Sequence, residues 1–117
     1  MRVRQATREA AVAQGFSLVD QTKLVTAASE LARNTRDYGG GGEVEITRLS
    51  EPLRRGVRLI FTDKGPGIAD IEQALRDGYT SGGGLGLGLS GAKRLSNDFS
   101  IVSKVGEGTQ VMIARWR

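Results

Sequence analysis

The chain is expected to fold as an α/β (α+β) two-layer sandwich, with a mixed, largely antiparallel sheet and its helices on one face. Three observations predict this. Strand-like segments arrive in adjacent pairs joined by short turns, which favours hairpins over parallel crossovers. Helix-like segments carry their apolar residues along a single stripe, so each has one face to bury. The length, 117 residues, suffices for one core of two packed layers and is short for a second, so residues 1–117 are expected to form a single domain.

The elements follow in order. Val3, Ala6, Ala10 and Ala13 recur at helical spacing and Gly15 supplies a stop, which predicts a first helix over about 3–14. Ser17, three residues before Asp20, reads as a capping box opening a second helix that runs to about Tyr38, where the run from Gly39 to Gly42 closes it. On that helix Leu24, Ala28, Leu31, Thr35 and Tyr38 form the predicted buried stripe. Glu30, Asn34 and Asp37 cluster along one flank of it. "EVEITRL" alternates as a strand, "EPLRRG" is a turn, and "VRLIFTD" alternates again, placing Val57, Leu59 and Phe61 on one side and ending at Asp63. "DIEQALRDG" is a short helix with its own glycine stop. "LSGAKRLSND" returns to helical spacing, and "FSIVSKV", the turn "GEG" and "TQVMIARW" close the chain as a hairpin.

Composition removes several chemistries. With no cysteine and no histidine, the chain has no disulfides, no zinc site of the common kinds, no Cys or His nucleophile and no phosphohistidine of its own. Any acid or base it uses must be a carboxylate or a lysine. The net charge is +4, but basic residues interleave with acids and concentrate only in "PLRRGVR" and "GAKR". Aromatic residues are 5% of the chain, too few for a single-strand stacking platform, so no nucleic-acid partner is expected. No apolar run is long enough to cross a bilayer, and "MRVRQATREA" lacks the hydrophobic stretch of a secretion signal. No membrane association and a cytoplasmic location are expected.

Three segments carry the candidate chemistry. Glu30 and Asn34, one turn apart, pair a proton acceptor with a metal-ligating amide at the border of core and water; taken alone they also describe a solvated helix face. "IFTDKGPGI" sets Asp63 at a strand end, before two glycines that flank Pro66 and leave the backbone uncovered. A planar ligand can approach such a surface, and a carboxylate there can accept from an exocyclic amine, selecting adenine over guanine. An ordinary turn with a locally bonded Asp is the alternative. The third segment is "DGYTSGGGLGLGLSGAKRL". Gly86, Gly88 and Gly91 satisfy GxGxxG, but the preceding residues are not a buried strand, so the dinucleotide fingerprint fails on context. No GxxxxGK[ST] is present and no eukaryotic protein-kinase signature appears. A flexible linker remains, yet Leu85, Leu87 and Leu89 alternate with glycines and lead into a helix, where exposed amides can cradle phosphates.

Together these segments resemble the GHKL superfamily, the Bergerat ATP-binding fold. Glu30 and Asn34 match its N box, Asp63, Gly65 and Gly67 its DxGxG box, Gly84, Gly86 and Gly88 its GxGxG box, and Thr109 after "GEG" its final threonine near the adenine. The resemblance covers about the last hundred residues. "GFSLVDQTKLVTAASELARNTRDYGGGG", "DKGPGI", "LRDGYTSGGGLGLGLSGAKRLSNDF" and "GTQVMIARW" further resemble the RsbT-type switch serine/threonine kinases of the bacterial stressosome, relatives of the anti-sigma-factor kinases.

The resemblance implies a serine/threonine protein kinase that uses ATP and Mg²⁺ and phosphorylates STAS-domain scaffold or antagonist proteins. It also implies a PP2C-type phosphatase as the target activated in partner switching. Glu30 would be the catalytic base and Asn34 the metal ligand. Asn34, Asp63, Gly65, Gly67, Ile68, Gly84, Leu85, Gly86, Leu87, Gly88 and Thr109 would hold the nucleotide, with Thr80 to Gly83 as a lid. Arg33 and Arg36 face either the γ-phosphate or a protein partner, or solvent. A nucleotide-binding interaction module that sequesters a sigma factor or activates a phosphatase with little catalysis is the alternative function. Family members carry an additional strand before the first helix, and this sequence starts within that helix. The sheet is therefore expected either without that edge strand or completed by residues upstream.

Overall fold

A computed structural model describes residues 3–37, 39–75 and 88–117. The elements are α1 (Val3–Ala13), α2 (Leu18–Asp37), β1 (Gly42–Glu51), β2 (Arg54–Asp63), α3 (Ile71–Ala74), α4 (Gly88–Arg94), β3 (Asp98–Lys104) and β4 (Gly108–Trp116). The strands make a four-stranded sheet in the order β1-β2-β4-β3. Each pairing is antiparallel, so the sheet among the described residues is not mixed.

The first hairpin is tighter than "EPLRRG" suggests. Pairing continues to Glu51 opposite Arg54, leaving only Pro52 and Leu53 as the turn. Two contacts lock this end: Arg54 Nε lies 2.9 Å from Glu51 Oε1, and the Arg54 guanidinium stacks 3.7 Å from the centroid of the Trp116 ring. At the other end of the chain, α4 stops at Arg94 rather than continuing through Asp98. Sheet bonds claim the residues beyond it, since the Asn97 amide donates to the Ala114 carbonyl and Asn97 Oδ1 accepts from the Trp116 amide. The expected helix over "DIEQALRDG" begins as predicted, with Asp70 Oδ1 accepting from the Gln73 amide; its last residues lie outside the described ones.

The helices cover one sheet face. Val57, Leu59 and Phe61 are buried, as their alternation requires, together with Val111 and Ile113 of β4 beneath Leu24, Ala27, Ala28 and Leu31 of α2. Burying each larger side chain here contributes about 1.5–3 kcal/mol, which holds α2 in one position over the sheet. The buried stripe of α2 is broader than Leu24, Ala28 and Leu31, because Val25 and Ala27 join it. Thr35 is only half-buried, and its hydroxyl donates to the Leu31 carbonyl at 2.9 Å. Tyr38 lies outside the described residues. No described helix is long and apolar enough to cross a membrane.

The predicted capping box is half formed. Ser17 Oγ accepts from the Asp20 amide at 3.2 Å, but the Asp20 carboxylate turns away to Arg115 Nη2, 2.8 Å distant. Arg115 Nη1 meanwhile donates to the Leu95 carbonyl at 2.8 Å. One guanidinium thus joins the start of α2, the exit of α4 and strand β4. The hydrogen bond from Arg115 is the main cause holding the Asp20 carboxyl below its ordinary range, with the charge of Arg115 adding to it against the cost of burial. Because the folded-state value is depressed, the stabilisation is full above the unfolded value near 3.8 and is lost as pH falls through the folded one. Asp20→Asn should therefore lower stability by about 1–2 kcal/mol at pH 7. In urea melts the gap from wild type should close under acid conditions; a gap independent of pH would contradict the assignment.

Candidate functional site

Strand register assembles one end of the site. Asp63, the last residue of β2, lies opposite Gly42 on β1 and Thr109 on β4, and Thr109 lies opposite Ser103 on β3. Gly42, Asp63, Thr109 and Ser103 therefore form one row across all four strands. Thr109 has the same parity along β4 as buried Val111 and Ile113, so the row belongs to the helix-covered face.

The segment after Asp63 folds back over the β3–β4 hairpin. Asp63 Oδ1 accepts from the Gly65 amide at 2.9 Å, an Asx turn that orients the carboxyl group. The Pro66 carbonyl accepts from the Gly106 amide at 2.8 Å. Gly67 takes φ +79°, and a Cβ there would collide with the Lys104 carbonyl oxygen, so no side chain fits at this crossing. Ile68 packs its side chain against the core cluster and donates its amide to Ser103 Oγ at 2.7 Å. Ser103 Oγ lies in turn 2.7 Å from Thr109 Oγ1.

The second part of the site comes from α2. Glu30 is 7% exposed, buried rather than at the border, and its carboxylate Oε2 pairs with Arg33 Nη2. Asn34, one turn further on, is half-buried, and its side-chain amide has no hydrogen-bond partner among the described residues. Asp37 does not join them. It is exposed and pairs with Arg36, whose hydrogen bond draws the Asp37 carboxyl below its ordinary range. The chain leaving α2 passes directly beside Asp63: a Cβ on Gly39 would lie 2.6 Å from Asp63 Oδ2. Side-chain-free backbone at this position is what lets the end of α2 reach the carboxylate.

The arrangement thus joins an oriented carboxylate and a hydroxyl pair at a strand end to a buried carboxylate and, on the helix alongside, the half-buried amide of Asn34. The family profile of the histidine kinase-, DNA gyrase B- and HSP90-like ATPases matches residues 19–117. The chain belongs to this GHKL family. It is 44% identical over 113 residues to serine/threonine-protein kinase RsbT of Bacillus subtilis (strain 168), an alignment covering 97% of this chain and 85% of that protein. It is 32% identical over 110 residues to anti-sigma F factor of Clostridium beijerinckii, covering 89% of this chain and 77% of that one. Among solved structures, the mycobacterial sensor histidine kinase MprB superposes with a TM-score of 0.62 at 19% identity, covering 97% of this chain and 91% of that chain. This last likeness is one of fold.

In this GHKL chain, Gly84, Leu85, Gly86 and Leu87, together with the segment Thr80 to Gly83, lie outside the described residues. Gly88 opens α4, which packs on α2 and buries Leu89 and Ala92. The register row joins Asp63 to Thr109, the Gly65 amide bonds back to Asp63, and Gly67 and Ile68 meet the same hairpin. Arg33 and Arg36 both face carboxylates of their own helix. Two residues escaped the sequence reading: Gly39, masked as one of four helix-closing glycines, and Ser103. The signal for Ser103 was present. It stands as far before "GEG" as a hairpin partner of Thr109 must, and the two hydroxyls close that hairpin.

Proposed function

We propose that the chain is an ATP-dependent serine/threonine protein kinase of the partner-switching kind. The observation that carries this reading is Glu30: a buried carboxylate held by Arg33, one turn before an amide with no partner among the described residues, on the helix whose exit abuts Asp63. A buried carboxylate is costly to keep without a use, which makes Glu30 a candidate functional group. The identity with RsbT supports the assignment to protein serine/threonine kinases.

The residues present fit ATP. The Asp63 carboxylate keeps Oδ2 free of the turn that engages Oδ1, so it can accept from the exocyclic amine of adenine. Gly65 and Gly67 leave the loop backbone open to a planar ring, and Ile68 and Thr109 bound it. The phosphates then extend toward α2 and the start of α4, where Gly84 to Gly88 would supply amide donors. The site also suits magnesium, which accepts few protein ligands and takes the rest from phosphate and water; Asn34 offers the side-chain oxygen. Bound there, the ion would offset phosphate charge.

Glu30 supplies the base. Its carboxylate accepts the proton of an incoming serine or threonine hydroxyl while that oxygen attacks the γ-phosphorus and the bond to the β-phosphate oxygen breaks, releasing ADP. The ion pair with Arg33 restrains the carboxylate's rotamers before substrate arrives. We place the acceptor hydroxyl on a STAS-domain protein of a stressosome, with a PP2C-type phosphatase as the activated target and the cytoplasm as the compartment, on the resemblance to RsbT-type kinases. The similarity to an anti-sigma F factor favours one second reading, a nucleotide-bound module that acts by sequestration.

Incubating the protein with γ-labelled ATP, Mg²⁺ and a STAS-domain protein from the same organism should transfer label to a serine or threonine of that partner. Stable complex formation without transfer at saturating ATP would favour sequestration instead.

A further inference from the structure

Ser103 is not among the residues proposed to hold the nucleotide, yet its surroundings determine what Thr109 can do. Three groups meet its hydroxyl: the Ile68 amide at 2.7 Å, the Gly108 carbonyl at 3.1 Å and Thr109 Oγ1 at 2.7 Å. A hydroxyl has one proton and two lone pairs. The Ile68 N–H can only donate, so it occupies one lone pair. The Gly108 carbonyl can only accept, so it takes the Ser103 proton. Thr109 is then left with one role: its own proton enters the second lone pair of Ser103. Any other assignment leaves at least one of these three close contacts without a hydrogen bond, at a partly buried position where that costs about 1–3 kcal/mol.

We propose that Ser103 is a specificity-determining positioning residue: by consuming the only proton of Thr109 it makes that side chain an acceptor toward the nucleotide. Beside it in the same row stands Asp63, acceptor-only when ionised, with Oδ1 already engaged. The strand end therefore shows a ligand two acceptors and no side-chain donor. A 6-amino purine answers with its two N–H bonds. A 6-oxo purine places lone pairs against lone pairs. A bridging water preserves this polarity, since it must donate to Thr109 and can then accept from the amine. Selection for the amino purine is thus set partly by a serine on the edge strand β3, two strands across the sheet from Asp63 on β2.

This inference rests on the reading of the Asp63 end as a purine site, and the test separates the two. Dissociation constants for ATP and inosine triphosphate, which differ at position 6 of the base and in the protonation of N1, are measured by calorimetry for wild type, Ser103→Ala, Ser103→Cys and Ser103→Thr. Wild type should prefer ATP. In Ser103→Ala the freed Thr109 proton can serve a 6-oxo group, so the preference should narrow by about tenfold. Ser103→Cys, a poor acceptor of similar size, should behave likewise and provides the comparison if the alanine variant does not fold. Ser103→Thr, which keeps the hydroxyl, should restore the wild-type ratio. If Ser103→Ala or Ser103→Cys weakens both nucleotides by the same factor, Ser103 only supports the loop and the inference fails while the purine site stands. If wild type binds neither nucleotide, the purine reading fails and takes this one with it.

Discussion

Glu30→Gln is expected to slow phosphotransfer by about 10²–10⁴-fold while changing ATP affinity by less than about threefold. The substitution preserves length, shape and one acceptor oxygen, so the contact with Arg33 survives as a hydrogen bond from the guanidinium to an uncharged amide oxygen. Arg33 is 33% exposed and keeps water around its charge, so removing its counter-ion costs little stability. What disappears is proton affinity: an amide cannot take the hydroxyl proton as the γ-phosphoryl group transfers. The loss corresponds to about 3–5 kcal/mol of transition-state stabilisation. Single-turnover transfer to the partner and calorimetric ATP binding, run on the same preparation, separate the two effects. A parallel fall in both would make Glu30 a binding or folding residue. Unchanged transfer would remove it from the chemistry, and retention of partner-switching output despite lost transfer would point to the sequestration reading.

Much of this arrangement was legible because it is periodic. Val57, Leu59 and Phe61 announce a half-buried strand by strict alternation, and the register then carries Asp63 to the strand end without further information. The same holds for Leu24, Ala28 and Leu31 on α2. Legibility ends where the partner is distant in sequence. Asp20 looks like the second member of a local capping box with Ser17, and nothing nearby shows that Arg115, on the last strand, would take its carboxylate. Glu30 falls on the flank of the α2 stripe by angle alone, and its burial depends on how α1, α4 and the sheet pack around the helix. Asp37 shares that flank but sits at the helix end, where an adjacent arginine and solvent claim it. Asn97 and Asp98 extend a helical pattern, yet edge-strand bonds to Ala114 and Trp116 outweigh one more helical turn.

The contrast between Asp63 and the glycine-rich stretch sharpens this point. The latter is conspicuous in the sequence, but its glycines encode only permissiveness, and four of its candidate residues, Gly84 to Leu87, fall outside the described ones. Asp63 is a single unremarkable carboxylate, and the structure around it is specific: a turn fixes one oxygen, Gly39 passes close beside the other, and Thr109 and Ser103 extend the row. In the proposed reading, discrimination between purines belongs to the strand end, and the glycines serve the phosphates that every nucleoside triphosphate shares.

Asp63→Asn should accordingly weaken ATP by about 10²-fold without unfolding the protein. The amide oxygen can still accept from Gly65, so the Asx turn persists and the melting temperature should shift by only a few degrees, about what 1 kcal/mol produces in a domain this size. The nitrogen, however, replaces Oδ2 beside Gly39 and points a donor at the donor of an exocyclic amine. Losing a hydrogen bond to a charged acceptor costs about 1.5–3 kcal/mol, and the donor–donor clash adds to it. Inosine triphosphate should lose less, because its 6-oxo group can accept from the new amide, so the ratio of the two affinities falls more than can be explained by general damage. Triphosphate alone supplies the control: tripolyphosphate makes no contact with the base site, and its competition against bound nucleotide should be the same in both proteins. Equal losses for ATP and inosine triphosphate would place the base elsewhere and leave Asp63 as a turn residue only.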